Sequence, residues 1–236
     1  MKPVLSLVMP AYNEQEQLRD TVEIVTAAMR HRGGPYEILI VDDGSTDSTG
    51  SIADDIAAAD SNVRVIHNGT NRGLGYSYWH GVRRASGDYI TWLPADNPVP
   101  LQALDPLFDQ IARADIVISY PVLSVPRPWL RRVLSRTYTM ALNTAFGFNL
   151  TYFNCVTIFR AEQLKTLQPR SSGFSIFAEV LVRLLDQGHG YVEVPLIARE
   201  RSAGESKALR FSNIRRVVSS MAMLFWDLRI RRVTRT

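Results

Sequence analysis

The sequence predicts an α/β protein built on a mostly parallel sheet flanked by helices, and three observations carry that expectation. Short aliphatic runs alternate with helical patterns through the first half of the chain, at the pitch of right-handed βαβ units. The run Ile38-Leu39-Ile40-Val41 has no polar interruption, as in a buried strand. Behind it stands a polar, turn-forming stretch, Asp42-Asp43-Gly44-Ser45-Thr46-Asp47, which places two adjacent carboxylates at a strand's carboxyl end. Open α/β sheets bind their ligands there.

Taken in order, Val4 to Met9 reads as a first strand broken by Pro10. Glu14 to Arg30 follows with Leu18, Val22, Val25 and Met29 at helical spacing, and ends at His31-Arg32-Gly33-Gly34-Pro35. After the strand at 38–41 come a helix from Ser48 to Ala59, a strand from Val63 to His67, a helix from Gly73 to Ala85 and a strand from Asp88 to Leu93. The crevice-facing loops are therefore Pro10–Glu14, Asp42–Asp47, Asn68–Gly73 and Pro94–Pro98. Further on, the pattern gives a helix from Val99 to Ala112, a strand from Asp115 to Ser119, a proline-rich break at Val125–Trp129, and a helix beyond it. A strand over Tyr152–Phe159, a helix over Phe174–Leu185 and a strand over Tyr191–Val194, closed by Pro195, complete this part.

With 236 residues, 46% of them hydrophobic, the chain can form one large domain or two small ones and is not expected to be disordered. The net charge of +4 favours anionic ligands or an anionic surface without indicating nucleic acid. A single cysteine, Cys155, excludes an intramolecular disulfide and a cysteine zinc cluster; a reducing cytosol is the natural setting. The apolar run at the N-terminus is too short for a secretion signal. No apolar stretch reaches the roughly 20 residues needed to span a bilayer.

The four loops hold side chains suited to a nucleotide. Tyr12 can stack on a base, Asp43 can accept from a base N–H, Asn71 and Arg72 can reach phosphates, and Asp96 can hold a hard cation. Each has a plainer use, as a surface aromatic, a turn or a helix start. Their convergence at four successive strand ends is what points to a ligand.

Pro10-Ala11-Tyr12-Asn13-Glu14, Val41-Asp42-Asp43-Gly44-Ser45-Thr46-Asp47-Ser48-Thr49, Asn71-Arg72-Gly73-Leu74-Gly75 and Gly87-Asp88-Tyr89-Ile90 together resemble a family 2 inverting glycosyltransferase of GT-A fold, a Rossmann-like sheet. The resemblance implies a nucleotide-sugar site formed by Pro10, Ala11, Tyr12, Glu14, Asp42, Asp43, Asn71, Arg72, Ala95 and Asp96, with Asp43 meeting the base. The family's Asp-x-Asp metal motif falls at Pro94-Ala95-Asp96, where Pro94 replaces the first aspartate. Asp96 then remains as the ligand for Mg²⁺ or Mn²⁺, completed by diphosphate oxygens and water.

In the second half, Arg131 and Ser135, like Arg132 and Arg136, lie four apart on a predicted helix. Arg201-Ser202-Ala203-Gly204-Glu205-Ser206-Lys207 has the chemistry of a loop that closes over a diphosphate. Both stretches resemble the dolichol-phosphate mannose synthase branch of the family, whose Asp-x-Thr-Ser-Gly-Phe-Arg segment survives only in diverged form at Asn149–Arg160. The resemblance implies Asp96, Arg201 and Lys207 as catalytic groups, with Arg131, Ser135 and Arg136 meeting an acceptor phosphate. The expected reaction moves a sugar from a nucleoside diphosphate to a polyprenyl monophosphate. Two alternatives stay open: a saccharide hydroxyl acceptor, with Glu179 or Asp186 as base, and a non-catalytic nucleotide-sugar-binding protein.

Residues 1–208 are expected to form the catalytic domain and 209–236 an amphipathic helix with an apolar stripe of Phe211, Ile214, Val218, Met221, Phe225 and Leu228. Arginines border that stripe on both sides, as suits a helix lying on an anionic membrane surface at its cytoplasmic face. The same stripe would also suit packing on the domain or on a second copy in a homodimer.

Overall fold

The computed structural model of the chain describes residues 4–96, 101–123, 129–171, 173–198 and 211–231. Its strands are β1 (Leu5–Ala11), β2 (Tyr36–Asp42), β3 (Val63–His67), β4 (Tyr89–Trp92), β5 (Ile116–Leu123), β6 (Thr157–Arg160) and β7 (Tyr191–Ala198). The helices are α1 (Leu18–Arg32), α2 (Thr49–Ala59), α3 (Leu74–Arg84), α4 (Leu101–Phe108), α5 (Trp129–Phe146), the single turn α6 (Ala161–Leu164), α7 (Ser175–Asp186) and α8 (Phe211–Phe225). A π-helical turn, Trp226–Ile230, continues α8. The strands form one seven-stranded sheet in the order β3-β2-β1-β4-β6-β5-β7.

Alternation along the strands feeds two cores, one on each face. Ile38 and Ile40 pack with Leu18, Val22 and Val25 of α1 and with Leu104 and Leu107 of α4. Leu39 and Val41 face the other way, onto Tyr78 and Val82 of α3 and the buried face of α7. Helix α3 lies so close to β1 that a Cβ at Gly81 would run into the Val8 side chain and come within 3.1 Å of Val41 Cγ2. Only glycine fits there.

Three proline-bearing strands run further than the sequence suggests, each for a local reason. β1 continues through Pro10, where the missing N–H would face β4; β4 pairs with β1 only up to Val8, so no ladder bond is lost. β5 and β7 stay paired through Tyr120↔Pro195 and Pro121↔Leu196. β7 is an edge strand, and β6 covers β5 only from Ile116 to Ile118, so both prolines have an open side.

The expected strand over 152–159 is shorter, beginning only at Thr157, and it runs against its neighbours. β6 is antiparallel to both β4 and β5. β5 ends at the carboxyl edge of the sheet, and after α5 the chain starts β6 from that same edge, Thr157 pairing with Ile118 and Phe159 with Ile116. Just before it, the Cys155 carbonyl accepts from Trp92 Nε1 at 3.4 Å and Thr157 Oγ1 at 3.2 Å instead of joining a ladder.

Candidate active site

The sheet order turns in opposite directions on the two sides of β1, toward β2 and toward β4, which opens a crevice at their carboxyl ends. Ala11, Asp42 and His67 stand side by side in register along this edge. The ladder reaches one residue further, Asp43 N donating to Ala11 O and Asn68 N to Asp42 O, both at 2.8 Å.

Successive residues of a strand point to opposite faces, so the two carboxylates part. Asp43, 3% exposed, takes the Asn68–Gly73 loop. Its Oδ1 accepts from Asn68 Nδ2 at 2.9 Å and Arg72 N at 3.0 Å, and its Oδ2 from Gly73 N at 2.8 Å. A carboxylate offers about four acceptor positions, so one remains on Oδ2 for a ligand. Asp42, expected beside Asp43 in the same pocket, instead accepts from Ser45 N and binds His67 Nδ1, each at 3.0 Å. The second ring nitrogen of His67 meets Asp54 Oδ1, also at 3.0 Å. Hydrogen bonds donated to the two carboxylates hold His67 above its ordinary pKa. Burial pushes Asp42 up, but the bonds from Ser45 and His67 outweigh it and the net direction is down.

The loops after β1 and β2 are zipped together. Asn13, in the left-handed region with φ 56°, donates from N to Ser45 Oγ at 3.1 Å and accepts from Thr46 N at 2.9 Å. Glu14 N donates to Thr49 Oγ1 at 2.8 Å, and Ser48 N to Gln15 Oε1 at 3.1 Å. Gly44, φ 68°, packs under the third loop, where a Cβ would stand 2.8 Å from Asn71 N. Pro10 and Ala11 are buried and Tyr12 is carried outward on this frame, 38% exposed. The backbone is thereby fixed before any ligand arrives.

Arg72 is held differently from the expected phosphate contact. Its guanidinium carbon lies 3.8 Å from the centroid of Tyr76, and Nη1 donates to the Tyr76 hydroxyl at 2.7 Å. Asn68 ties this loop to α3: Nδ2 also donates to Ser77 Oγ at 2.8 Å, and Oδ1 pairs with His80 Nδ1 at 2.7 Å. Burial, with Arg84, Arg72 and Arg83 nearby, keeps His80 below its ordinary pKa. Because Asn68 Nδ2 donates to Asp43 and Ser77, its Oδ1 is the acceptor and His80 Nδ1 the donor. Sequence reasoning missed Asn13, His67, Asn68 and His80; Asn13 and Asn68 lie within the four loops, His67 ends the strand before the third loop, and His80 lies in the helix after it.

Asp96 follows β4 at the crevice, beside the buried Ala95. Among the described residues no three His, Cys, Asp or Glu side chains gather as a metal cage. A site of one carboxylate plus substrate phosphate oxygens needs no cage and is an arrangement Mg²⁺ accepts, so Asp96 fits that chemistry. Arg201 and Lys207 lie outside the described residues.

On α5, Ser135 and Arg136 line a cavity of about 380 Å³ with Asn143, Asn149, Thr151 and Tyr152. Asn143 shapes it, donating to Leu150 O at 2.9 Å and accepting from Leu150 N at 3.0 Å. Glu193 of β7 holds Thr151 of the lining in place, accepting from its N at 2.8 Å. The Arg131 side chain lies outside the described residues.

Glu179 and Asp186, the two candidate bases, are engaged elsewhere. Glu179, 5% exposed, accepts from Arg170 N, Ser171 N and Arg183 Nε. Asp186 pairs with Arg229 at 2.5 Å, and Asp227 with Arg183 at 3.1 Å, which clamps the C-terminal helix to α7. Leu224 and Leu228 enter the core shared with α7. The expected stripe is therefore split: Leu228 is buried, while Val218 and Phe225 are 59% and 39% exposed, as is Trp226 beside them at 58%.

Residues 6–168 match the family model described as glycosyl transferase family 2. Over 238 residues the chain is 32% identical to polyprenol monophosphomannose synthase of Mycolicibacterium smegmatis, covering 94% of this chain and 86% of that protein. Undecaprenyl-phosphate mannosyltransferase of Micrococcus luteus is 31% identical, with 85% of each chain covered. Undecaprenyl-phosphate 4-deoxy-4-formamido-L-arabinose transferase of Pseudomonas fluorescens is 30% identical over 88% of this chain, which spans 62% of its length. Among solved structures, glucosyl-3-phosphoglycerate synthase of Mycobacterium tuberculosis with Mn²⁺, uridine diphosphate and phosphoglyceric acid superposes with a TM-score of 0.74. It is 20% identical, with 94% of this chain and 78% of that one covered, a likeness of fold.

Proposed function

The chain belongs to glycosyl transferase family 2, and from that premise we propose that it transfers a sugar from a nucleoside diphosphate to a polyprenyl monophosphate with inversion at the anomeric carbon. The observation that carries the acceptor class is the state of the two candidate bases. A saccharide hydroxyl must lose its proton as it attacks, whereas an acceptor phosphate is already anionic and needs only positioning. Glu179 is committed to Arg170 N, Ser171 N and Arg183, and Asp186 to Arg229 of the C-terminal helix. The cavity beside Ser135 and Arg136 offers hydroxyl, amide and guanidinium donors, suited to a phosphate. The relatives named for polyprenol-phosphate and undecaprenyl-phosphate transfer support the same acceptor.

In this scheme Tyr12 covers the base, Asp43 uses its remaining acceptor position on a base N–H, and Asn71 and Arg72 approach the diphosphate. Arg72 leaves Tyr76 to do so. Asp96 would hold Mg²⁺ or Mn²⁺, which supplies charge neutralisation at the diphosphate when bound. Arg201 and Lys207, which follow β7 in the sequence, neutralise the departing diphosphate, so their loss should lower kcat more than donor affinity. Arg131, Ser135 and Arg136 orient the acceptor.

The membrane surface is the proposed location, since a polyprenyl phosphate does not leave it. No described helix is long and apolar enough to cross a membrane. Val218, Phe225 and Trp226 remain exposed on the C-terminal helix, and Trp129, Val133 and Met140 on α5. Apolar side chains bordered by arginine suit the interface of an anionic bilayer. The acceptor assignment is tested by Arg136→Ala, expected to raise KM for a short-chain polyprenyl phosphate about tenfold while donor affinity stays unchanged. Equal effects on donor and acceptor would contradict it.

A further inference from the structure

Thr21 sits on α1 in a row of core positions, 1% exposed, between Leu18 and Val22. A hydroxyl there is costly unless it is bonded, and valine would fill the same space without that cost. Threonine within a helix usually returns its hydroxyl to a carbonyl of the preceding turn. This one reaches across 74 residues of sequence instead, donating to Ala95 O at 3.0 Å. Ala95 is 2% exposed, so its carbonyl has little access to water. Two residues earlier, Leu93 N donates to Val8 O at 3.0 Å. Pro94 between them has no N–H to offer and a fixed φ. The turn that presents Asp96 is thus pinned at Leu93 by β1 and at Ala95 by Thr21.

We propose that Thr21 is a positioning residue for Asp96, setting how that carboxylate meets a divalent cation and the nucleotide diphosphate. The inference rests on the donor-site assignment above. Where Pro94 stands, the family pattern has another aspartate; with a single carboxylate left, its placement carries the whole contribution of this turn. Thr21 also ties the helix behind Tyr12 and Glu14, at the nucleoside end, to the turn at the diphosphate end.

The test measures nucleotide binding by calorimetry, using UDP or GDP, whichever the wild-type protein binds more tightly, with and without Mn²⁺. The variants are Thr21→Val, which keeps shape and removes the bond, and Thr21→Ser, which keeps the hydroxyl. In wild type, Mn²⁺ should tighten binding. Thr21→Val should lose about tenfold of that gain, the worth of one misplaced charged contact, with metal-free affinity unchanged. Thr21→Ser should recover it, and kcat should follow the same order while donor KM moves less. An Mn²⁺-dependent gain in Thr21→Val equal to wild type overturns the proposal, as does an equal loss with and without metal. If Thr21→Val does not fold, Thr21→Ala is read by the same criterion, and failure of both to fold overturns it in favour of a purely structural bond. Absence of any nucleotide binding by wild type removes the donor-site assignment itself, a result distinct from the others.

Discussion

Asp43→Asn, the smallest available change in the site, should be costly. Asp43 receives three N–H groups, from Asn68 Nδ2, Arg72 N and Gly73 N, on two oxygens. An amide has one acceptor oxygen, so whichever way it turns, its NH₂ faces at least one of these donors. One charge-assisted bond is lost, about 1.5–3 kcal/mol, and a mostly buried N–H is left facing another donor, about 1–3 kcal/mol. Partial access of water to the exposed loop tip reduces the sum, and we expect roughly 2–4 kcal/mol of lost stability. Urea unfolding with an unchanged slope would measure it. Asp43→Ala should in addition weaken nucleotide binding by about 1–3 kcal/mol, or roughly 5- to 150-fold, read by calorimetry. An Asn variant within about 0.5 kcal/mol of wild type would show that Asp43 does not hold the loop, and the reasoning would fail.

The Asp42–His67–Asp54 contact should make stability depend on pH from both sides. His67, raised above 6.5, contributes fully below that value and loses its contribution as pH rises through its folded pKa. Asp42, lowered from 3.8, contributes above that value and loses it as pH falls through its depressed folded pKa. Tm should therefore decline on the alkaline side of 6.5, and His67→Gln should flatten that decline; an unchanged profile in the variant would refute the assignment. On the C-terminal helix, Trp226→Glu should reduce binding to anionic liposomes and leave Tm in place, because that side chain is mostly exposed. Leu228→Ala should instead cost about 2–5 kcal/mol, as a core truncation does. Reversal of these two effects would place the helix the other way round.

Much of the first hundred residues was legible because each strand run is short, apolar and closed by a polar loop, so the four crevice loops follow from periodicity alone. The limits of strands were less so. Pro10, Pro121 and Pro195 look like terminators, and whether they are depends on which neighbour each strand has at that height, a property of the sheet rather than of the segment. The reversal of β6 likewise depends on where α5 leaves the chain. At the site, the pair Asp42-Asp43 was visible, but its division between His67 and the Asn68–Gly73 loop follows from the strand's alternation combined with partners 25 to 30 residues away. The C-terminal stripe shows the opposite case: its spacing was clear, yet spacing cannot say which residues meet the core. Leu224 and Leu228 do so, with the ion pairs of Asp227 and Arg229, while Val218 and Trp226 face out. Truncation before the helix would therefore disturb the fold, and surface substitutions are the cleaner probe of membrane contact.

The central claim is the acceptor. Purified protein incubated with radiolabelled nucleotide sugars, a divalent cation and either undecaprenyl or dolichyl phosphate should carry label into the organic phase. That transfer should require the polyprenyl phosphate, be abolished in Asp96→Ala, and give a product of inverted anomeric configuration. Label that remains aqueous with every polyprenyl phosphate, while the same protein glycosylates a soluble hydroxyl acceptor, would contradict the account.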